Sequence, residues 1–384
     1  MVRPRNPFKP SAGSDPPLLV GRSGLLDEFA ESIEDGPGAP GRATIYTGPR
    51  GIGKTVMLNA VGERAQADYQ WRVIDETATP GLLDRLTARI RALAPPLPDA
   101  GRHLTGLSLA GAGFSTSDPA AVPELGFRDA VTWLLDELEQ HGTGLLITVD
   151  EVHVAMRDEV RQFAAVIQHL VREDREIAVA LAGIPSGVSG MLNDQVITFL
   201  RRAERHALGD VALADVRIAL ADTITTNGRT ITDEALDAAT AATGGYPFMI
   251  QLVGYHVWRR AGEDGVIDAS VAESGIQAAR ARLGSLVHDT SMNDLSPVDR
   301  TFLLAMAHDH GPSGVETIGH RMGKSAGYVS VYRSRLIEAG LIAPAGRGRV
   351  DYALPFLREY LREHGAKYVM PEDDAGPEGG VPCT

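Results

Sequence analysis

The chain has 384 residues, more than one average domain and enough for two or three. Hydrophobic residues make up 43%, sufficient for packed cores, and a formal net charge of −13 excludes a generally basic, nucleic-acid-coating protein while leaving room for a local basic patch. The single cysteine, Cys383, excludes an internal disulfide, and neither a signal peptide nor a run of ~18 apolar residues is present, so a soluble cytoplasmic protein with no membrane partner is expected.

Residues 1–17, rich in proline and basic residues, are expected to form a flexible arm. Leu25 to Ile33 has helical apolar spacing, and the Gly/Pro run Asp35 to Gly41 stops it. Ala43-Thr44-Ile45-Tyr46 predicts a short buried strand. After it, Gly48-Pro49-Arg50-Gly51-Ile52-Gly53-Lys54-Thr55 fits G-x-x-x-x-G-K-[ST], and Val56 to Gln66 predicts a helix. Strand, glycine loop and helix are the context in which this pattern binds nucleotide phosphates. Glycines let backbone N–H groups close around phosphate oxygens, and the helix N-terminus favours the anion. Lys54 would meet the β- and γ-phosphates of ATP, and Thr55 would ligate Mg²⁺.

Trp71 to Ile74 predicts a second strand and Pro80 to Leu93 a helix, which Ala94 to Pro98 breaks; Leu104 to Ser117 is expected to be an extended excursion. Phe127 to Gln140 predicts a helix with Ala130, Val131, Leu134, Leu135 and Leu138 on one side. Leu145 to Val149 is a continuous apolar strand, as in a parallel sheet covered on both faces, and it ends in Asp150-Glu151. Beside a phosphate loop, Asp150 would hold Mg²⁺ and Glu151 would orient or deprotonate the attacking water. A helix near Asp158 to Arg172 and a buried strand Ile177 to Leu181 follow. Strands alternating with helices give an α/β layer architecture.

From Leu213 to Trp258 the pattern changes to helices only, with Gly244-Gly245-Tyr246-Pro247 between two of them, and a further helix spans about Ala269 to Val287. Ser296 is an N-cap and Pro297 the first residue of the next helix. Pro297 to Ala307, Val315 to Met322 and Ser325 to Ala339 are three helices. Leu341 to Ala343, a turn through Arg347, and Val350 to Leu354 read as strand, turn and strand. Residues 371–384 are acidic, with prolines and glycines, and are expected to be disordered.

These motifs together resemble the AAA+ and STAND P-loop ATPases, closest to origin-recognition-type and archaeal-type members. The residues that carry the resemblance are Val20-Gly21-Arg22, similar to the family's adenine-side box, Gly48 to Thr55, Asp150-Glu151, and Gly244-Gly245-Tyr246-Pro247, similar to the GG-x-P turn. The resemblance spans about residues 18–365. It implies a P-loop NTPase parallel sheet sandwiched by helices over 18–211, an all-α lid over 212–290, a winged helix-turn-helix domain over 294–365 and a tail over 366–384. It also places Val20 and Pro247 beside the nucleotide.

The chain departs from the family in two places. The strand after the acidic pair ends without the usual polar sensor, leaving Ser186 as the nearby candidate. The GGYP turn has no arginine for the γ-phosphate, which favours a STAND-like switch over a motor. Phe199 to Arg205 is similar to the segment that supplies an arginine finger, with Arg202 the chosen residue; a solvated basic helix end is the alternative.

In a winged helix the third helix enters a major groove. Between His320 and Val350 six basic residues face one acidic residue, and Lys324, Tyr328, Arg333, Arg335, Arg347 and Arg349 are the candidate contacts to double-stranded DNA. The expectation is an ATP-hydrolysing regulatory switch whose C-terminal domain contacts DNA. The alternative is a STAND-type signalling or defence ATPase in which that domain binds a partner protein rather than DNA; a nucleotide-dependent homo-oligomer is a further expected partner state.

Overall fold

The computed structural model describes residues 5–11, 20–93, 126–154, 157–193, 199–262 and 265–368. Leu18-Leu19, the proline break, the excursion over 104–117 and the acidic tail from residue 369 on, with Cys383, lie outside them. Residues 366–368, assigned to that tail, instead lie in a 3-10 turn, Gly365–Tyr368, with Tyr368 buried against Tyr360. The chain divides into two compact units, one of residues 21–48 and 53–208, the other of residues 1–20, 49–52 and 209–384.

The first unit is a parallel sheet flanked by helices. Its elements in chain order are α1 (Ser23–Glu34), β1 (Ala43–Thr47), α2 (Lys54–Tyr69), β2 (Arg72–Thr77), α3 (Leu82–Leu93), α4 (Phe127–Gln140), β3 (Leu145–Asp150), α5 (Arg157–Arg172), β4 (Ile177–Gly183), α6 (Pro185–Leu192) and β5 (Glu204–Ala207). The five strands lie in the order β2-β3-β4-β1-β5, every pair parallel. Parallel strands present all their C-terminal ends at one edge, so Thr47 and Asp150 finish on the same side.

The two-residue period of a strand divides β3 between two layers. Leu145, Ile147 and Val149 join a core with Leu86 and Ile90 of α3, Leu134 and Leu135 of α4, and Phe163 and Ile167 of α5. Leu146 and Thr148 face the other way and are equally buried; α2, with Met57, Leu58 and Val61 buried, packs on β3 and β4. A strand covered on both sides must be apolar throughout, which accounts for the run Leu145 to Val149. Gly142, at φ +67, follows the end of α4. The sequence does not announce α6, which follows β4 directly.

The second unit comprises α7 (Leu213–Thr226), β6 (Thr230–Ile231), α8 (Asp233–Thr243), α9 (Pro247–Arg260), β7 (Val266–Ile267), α10 (Ala269–Leu283), α11 (Asp289–Asn293), α12 (Pro297–Ala307), β8 (Ser313–Gly314), α13 (Val315–Met322), α14 (Ala326–Glu338), β9 (Ile342–Pro344), β10 (Arg349–Tyr352) and α15 (Leu357–His364). Where helices alone are expected, β6 and β7 add a two-residue parallel pairing, and Thr232 and Asp268 directly after them cap α8 and α10. A single π turn, Gly284–His288, carries α10 into α11. Ser296 caps α12 with Pro297 at its first position, and Ser325 caps α14. Strands β8, β10 and β9 form an antiparallel sheet in that order. Phe302, Ile318, Val329, Leu336, Val350 and Leu361 are among the residues of the core beneath it.

The N-terminal arm requires a correction at residues 5–10. Phe8 is only 3% exposed. Asn6 donates to the carbonyl of Tyr255 at 3.0 Å, and the Lys9 N–H donates to Gln251 Oε1 at 3.1 Å. The ring lies over Gly254 so closely that a Cβ there would come within 2.3 Å of Phe8 Cδ1. Burying such a ring is worth roughly 2 kcal/mol, enough to hold an otherwise polar, proline-rich segment on α9.

Candidate functional site

Strand β1 delivers the chain to Gly48, and α2 begins at Lys54. The turn between them has positive φ at Gly51 (+75) and Gly53 (+92), a conformation in which a Cβ is strained. Gly53 is the N-cap of α2, and its carbonyl accepts from the Met57 N–H at 2.9 Å. Gly51 is required for a second reason: a Cβ there would lie 1.9 Å from the hydroxyl oxygen of Tyr246. Lys54 is 6% exposed, and its Nζ donates to the Gly48 carbonyl at 3.0 Å. Pro49 and Ile52 are at least half-buried, and Arg50 is exposed.

The two sequence motifs, about 95 residues apart, meet directly. The Thr55 hydroxyl donates to Asp150 Oδ2 at 2.5 Å, and the Glu151 N–H donates to Asp150 Oδ1 at 2.7 Å. A hydroxyl and a carboxylate are hard oxygen donors, the set Mg²⁺ selects, and they stand where β3 ends. Beside them the left-handed glycine turn and the buried Lys54 ammonium suit a phosphate chain. The residues present therefore fit a magnesium nucleotide.

Glu151 leaves the strand in the left-handed region, at φ +52. The turn is closed by the Val154 N–H on the Glu151 carbonyl at 2.8 Å. It brings His153 back toward the acidic pair, with Nδ1 3.3 Å from Glu151 Oε2. His153 is absent from the sequence prediction; the contact is made by the turn, which a reading of strands and helices does not supply. Ser186, the sensor candidate, lies in the first turn of α6, and its buried hydroxyl has no hydrogen-bond partner among the described residues. Of the adjacent arginines, Arg201 is held by the carbonyls of Leu192 (2.6 Å) and Asn193 (3.1 Å), while Arg202 is exposed.

The GGYP turn is tightly built. Gly244 and Gly245 both have positive φ, and a Cβ on Gly245 would meet the Val211 carbonyl at 2.3 Å. Pro247 opens α9. Tyr246, 1% exposed, donates its hydroxyl to the Arg50 carbonyl at 2.9 Å, and burial raises its phenol above the ordinary range. The sequence singles out this turn but assigns no role to the tyrosine. Val20 is half-buried at the start of the described residues before α1.

A family model described as an AAA ATPase domain matches residues 18–181, the stretch that holds both motifs. Residues 18–181 are thus similar to that family. A second model, a domain of unknown function (DUF8462), matches residues 285–361. Among solved structures, the Walker-type ATPase of Pyrococcus abyssi is 14% identical with a TM-score of 0.62, covering 90% of this chain and 96% of that one. The ORC2 protein of Aeropyrum pernix is 14% identical with a TM-score of 0.61, covering 92% and 96%. Cdc6p of Pyrobaculum aerophilum is 14% identical with a TM-score of 0.51, covering 94% and 97%. At this identity the likeness establishes the fold alone, a P-loop NTPase fold shared with these proteins. No curated protein matches the sequence. No helix among the described residues is long and apolar enough to cross a membrane.

Beyond residues 18–181, the candidate DNA contacts divide by what already holds them. Lys324, Tyr328 and Val331 share an exposed face, with Val331 59% exposed and the Lys324 ammonium 5.5 Å from the Tyr328 ring. Arg347 is exposed in the turn before β10. Arg335 instead pairs with Asp299, which is 1% exposed, at 2.8 Å. Arg349 donates to the Pro312 carbonyl at 2.6 Å, and Arg333 is half-buried. Arg321, counted in the local charge excess, is held by Asp309 at 2.6 Å, and that hydrogen bond pulls the Asp309 carboxyl down to about 2. The net excess over His320 to Val350 is therefore a poor measure of the positive charge offered to a ligand.

Proposed function

We propose that this protein binds ATP with Mg²⁺ and hydrolyses it slowly, as a regulatory switch. The observation that carries the reading is the meeting of Thr55 with Asp150 beside a buried Lys54. Gly48 to Thr55 wrap the phosphates, Lys54 neutralises their charge, and Thr55 and Asp150 hold the metal. Mg²⁺ would offset negative charge on the phosphates. Glu151 orients a water and takes its proton as the water oxygen bonds to the γ-phosphorus. The bond to the bridging oxygen breaks, giving ADP and phosphate. Val20 and Pro247 bracket the adenine side. Arg202, exposed while Arg201 is held, serves a neighbouring copy as a finger. The ORC2 protein of similar fold was solved with ADPNP and ADP, which supports the choice of nucleotide.

Residues 18–211, 212–290 and 294–365 act in this reading as ATPase, lid and winged helix. The last contacts duplex DNA through Lys324, Tyr328, Arg333, Arg335, Arg347 and Arg349. Helices α12 to α14 with the β8-β10-β9 sheet support that assignment. A second reading, in which this region binds a partner protein, is favoured by the exposed Val331 and Tyr328 and by the internal pairing of Arg335 and Arg321. The experiment is ATP turnover and nucleotide binding by wild type, Lys54→Ala and Glu151→Gln. Lys54→Ala should bind nucleotide much more weakly, and Glu151→Gln should bind with turnover greatly reduced. Equal turnover by all three would overturn the ATPase assignment.

A further inference from the structure

The corner where β4 passes into α6 is shaped around the imidazole of His153. Gly183 closes β4 and Gly187 lies in α6. A Cβ on Gly187 would come within 2.4 Å of His153 Cβ and 2.8 Å of Cγ. A Cβ on Gly183 would meet His153 Nδ1 at 3.2 Å and Val188 at 2.8 Å. Neither glycine has a positive φ, so neither is demanded by backbone conformation; both leave space that the ring occupies. The His153 side chain is 17% exposed in this slot.

The slot fixes what Nδ1 can reach. On one side is Glu151 Oε2 at 3.3 Å; on the other is the N–H of Ile184, the N-cap residue of α6, at 3.4 Å. The two contacts make opposite demands on one nitrogen. With a lone pair on Nδ1, the imidazole accepts from Ile184 and offers nothing to the carboxylate. With a proton on Nδ1, it donates to Glu151 and releases the Ile184 N–H. The proton's position thus ties the direction of the Glu151 carboxylate to the first turn of α6, where the Ser186 hydroxyl is buried without a partner among the described residues.

We propose that His153 is a positioning residue for Glu151, aiming its carboxylate and coupling it to the corner between β4 and α6. This rests on the reading of Glu151 as the residue that activates water. The imidazole acts through the carboxylate. In the Nδ1–H state it holds Oε2 toward itself, and in the other state the carboxylate is released to the water. A misaimed base is costly, since displacement of a reacting group by about 1 Å lowers a rate on the order of 100-fold.

The test is steady-state ATP turnover and nucleotide affinity of the full chain carrying His153→Ala, His153→Asn or Glu151→Gln. The expected result for His153→Ala is a kcat changed roughly 10- to 100-fold with KM and nucleotide affinity unaltered. His153→Asn, whose amide places a donor and acceptor near the Nδ1 position, should recover most of the wild-type kcat. A purely structural role would move affinity, folding and kcat together and would not be restored by asparagine. Wild-type kcat in His153→Ala, alongside lost turnover in Glu151→Gln, overturns the positioning role and leaves the ATPase reading standing. Absence of turnover and binding in wild type instead defeats the ATPase reading. Imidazole ¹⁵N spectra decide the coupling without turnover: Glu151→Gln should shift the His153 Nδ1 resonance, assigned by its loss in His153→Asn. An unmoved resonance overturns the proposal.

Discussion

The nucleotide-site residues and the surface of α13 and α14 use the same kinds of side chain to different ends. In the first, Thr55, Asp150 and Glu151 converge at the end of β3, and the glycine-rich loop before Lys54 follows a strand and opens a helix. In the second, arginines that look available in the sequence are tied down by carboxylates of their own unit, Arg335 by Asp299 and Arg321 by Asp309. A site made of contiguous backbone is fixed by local chemistry. A site made of surface charge depends on which tertiary partner each charge has already found.

The largest effect should fall on the first region. Glu151→Gln is expected to lower ATP turnover roughly 10³-fold with nucleotide affinity retained, and Lys54→Ala to weaken affinity roughly 10- to 100-fold in a fluorescent-nucleotide titration. Affinity unchanged by Lys54→Ala would erase the contrast between the regions. Next is Gly51→Ala, which brings a Cβ against the Tyr246 hydroxyl in a left-handed turn. It should cost about 3 kcal/mol by thermal unfolding, part of which Tyr246→Ala recovers in the double variant.

In the second region, Arg335→Ala should destabilise by roughly 2 kcal/mol, because it strips a partner from the buried Asp299 carboxylate. That loss, read by unfolding, separates a structural arginine from a ligand contact. A comparable change is expected from acid. Burial lowers His288 from 6.5 to about 4, so the folded chain stays neutral there while the unfolded chain takes up a proton. Stability from this group is complete above about pH 6.5, declines as pH falls, and is lost by about pH 4. The loss amounts to about 2 kcal/mol at pH 5, and His288→Asn should flatten this slope. The smallest effect belongs to Lys324→Ala and Arg347→Ala, each of which should reduce the salt dependence of duplex binding by about one in slope. No duplex affinity at low salt would direct the α14 face to a protein partner instead.

The contrast also explains how far the sequence could be followed. The bounds of α4, α12 and α13 match the prediction, because an amphipathic face, a Ser-Pro start or a glycine stop marks them. The loop and the acidic pair were legible for the same local reason. Helix α6 was missed because Pro185-Ser186-Gly187-Val188-Ser189-Gly190 is poor in helix formers and is held by its place after β4. Helix α15 was missed because it begins at once after Phe356, a residue with φ +62 that no pattern announces. His153 lay two residues beyond a recognised motif, yet its meaning depends on Ile184 and Gly187, more than 30 residues away in the chain.

The seat of Phe8 on α9 has a practical side. A shortened chain that starts at residue 20, the natural choice from the motifs, would keep both nucleotide motifs and still lose the ring that fills the trough over Gly254. The uncovered trough would then be open to whatever apolar surface is in solution, including that of another molecule of the same fragment. Self-association or poor solubility of such a fragment would report the cut end. Assembly with nucleotide should therefore be weighed only on protein that retains residues 5–10.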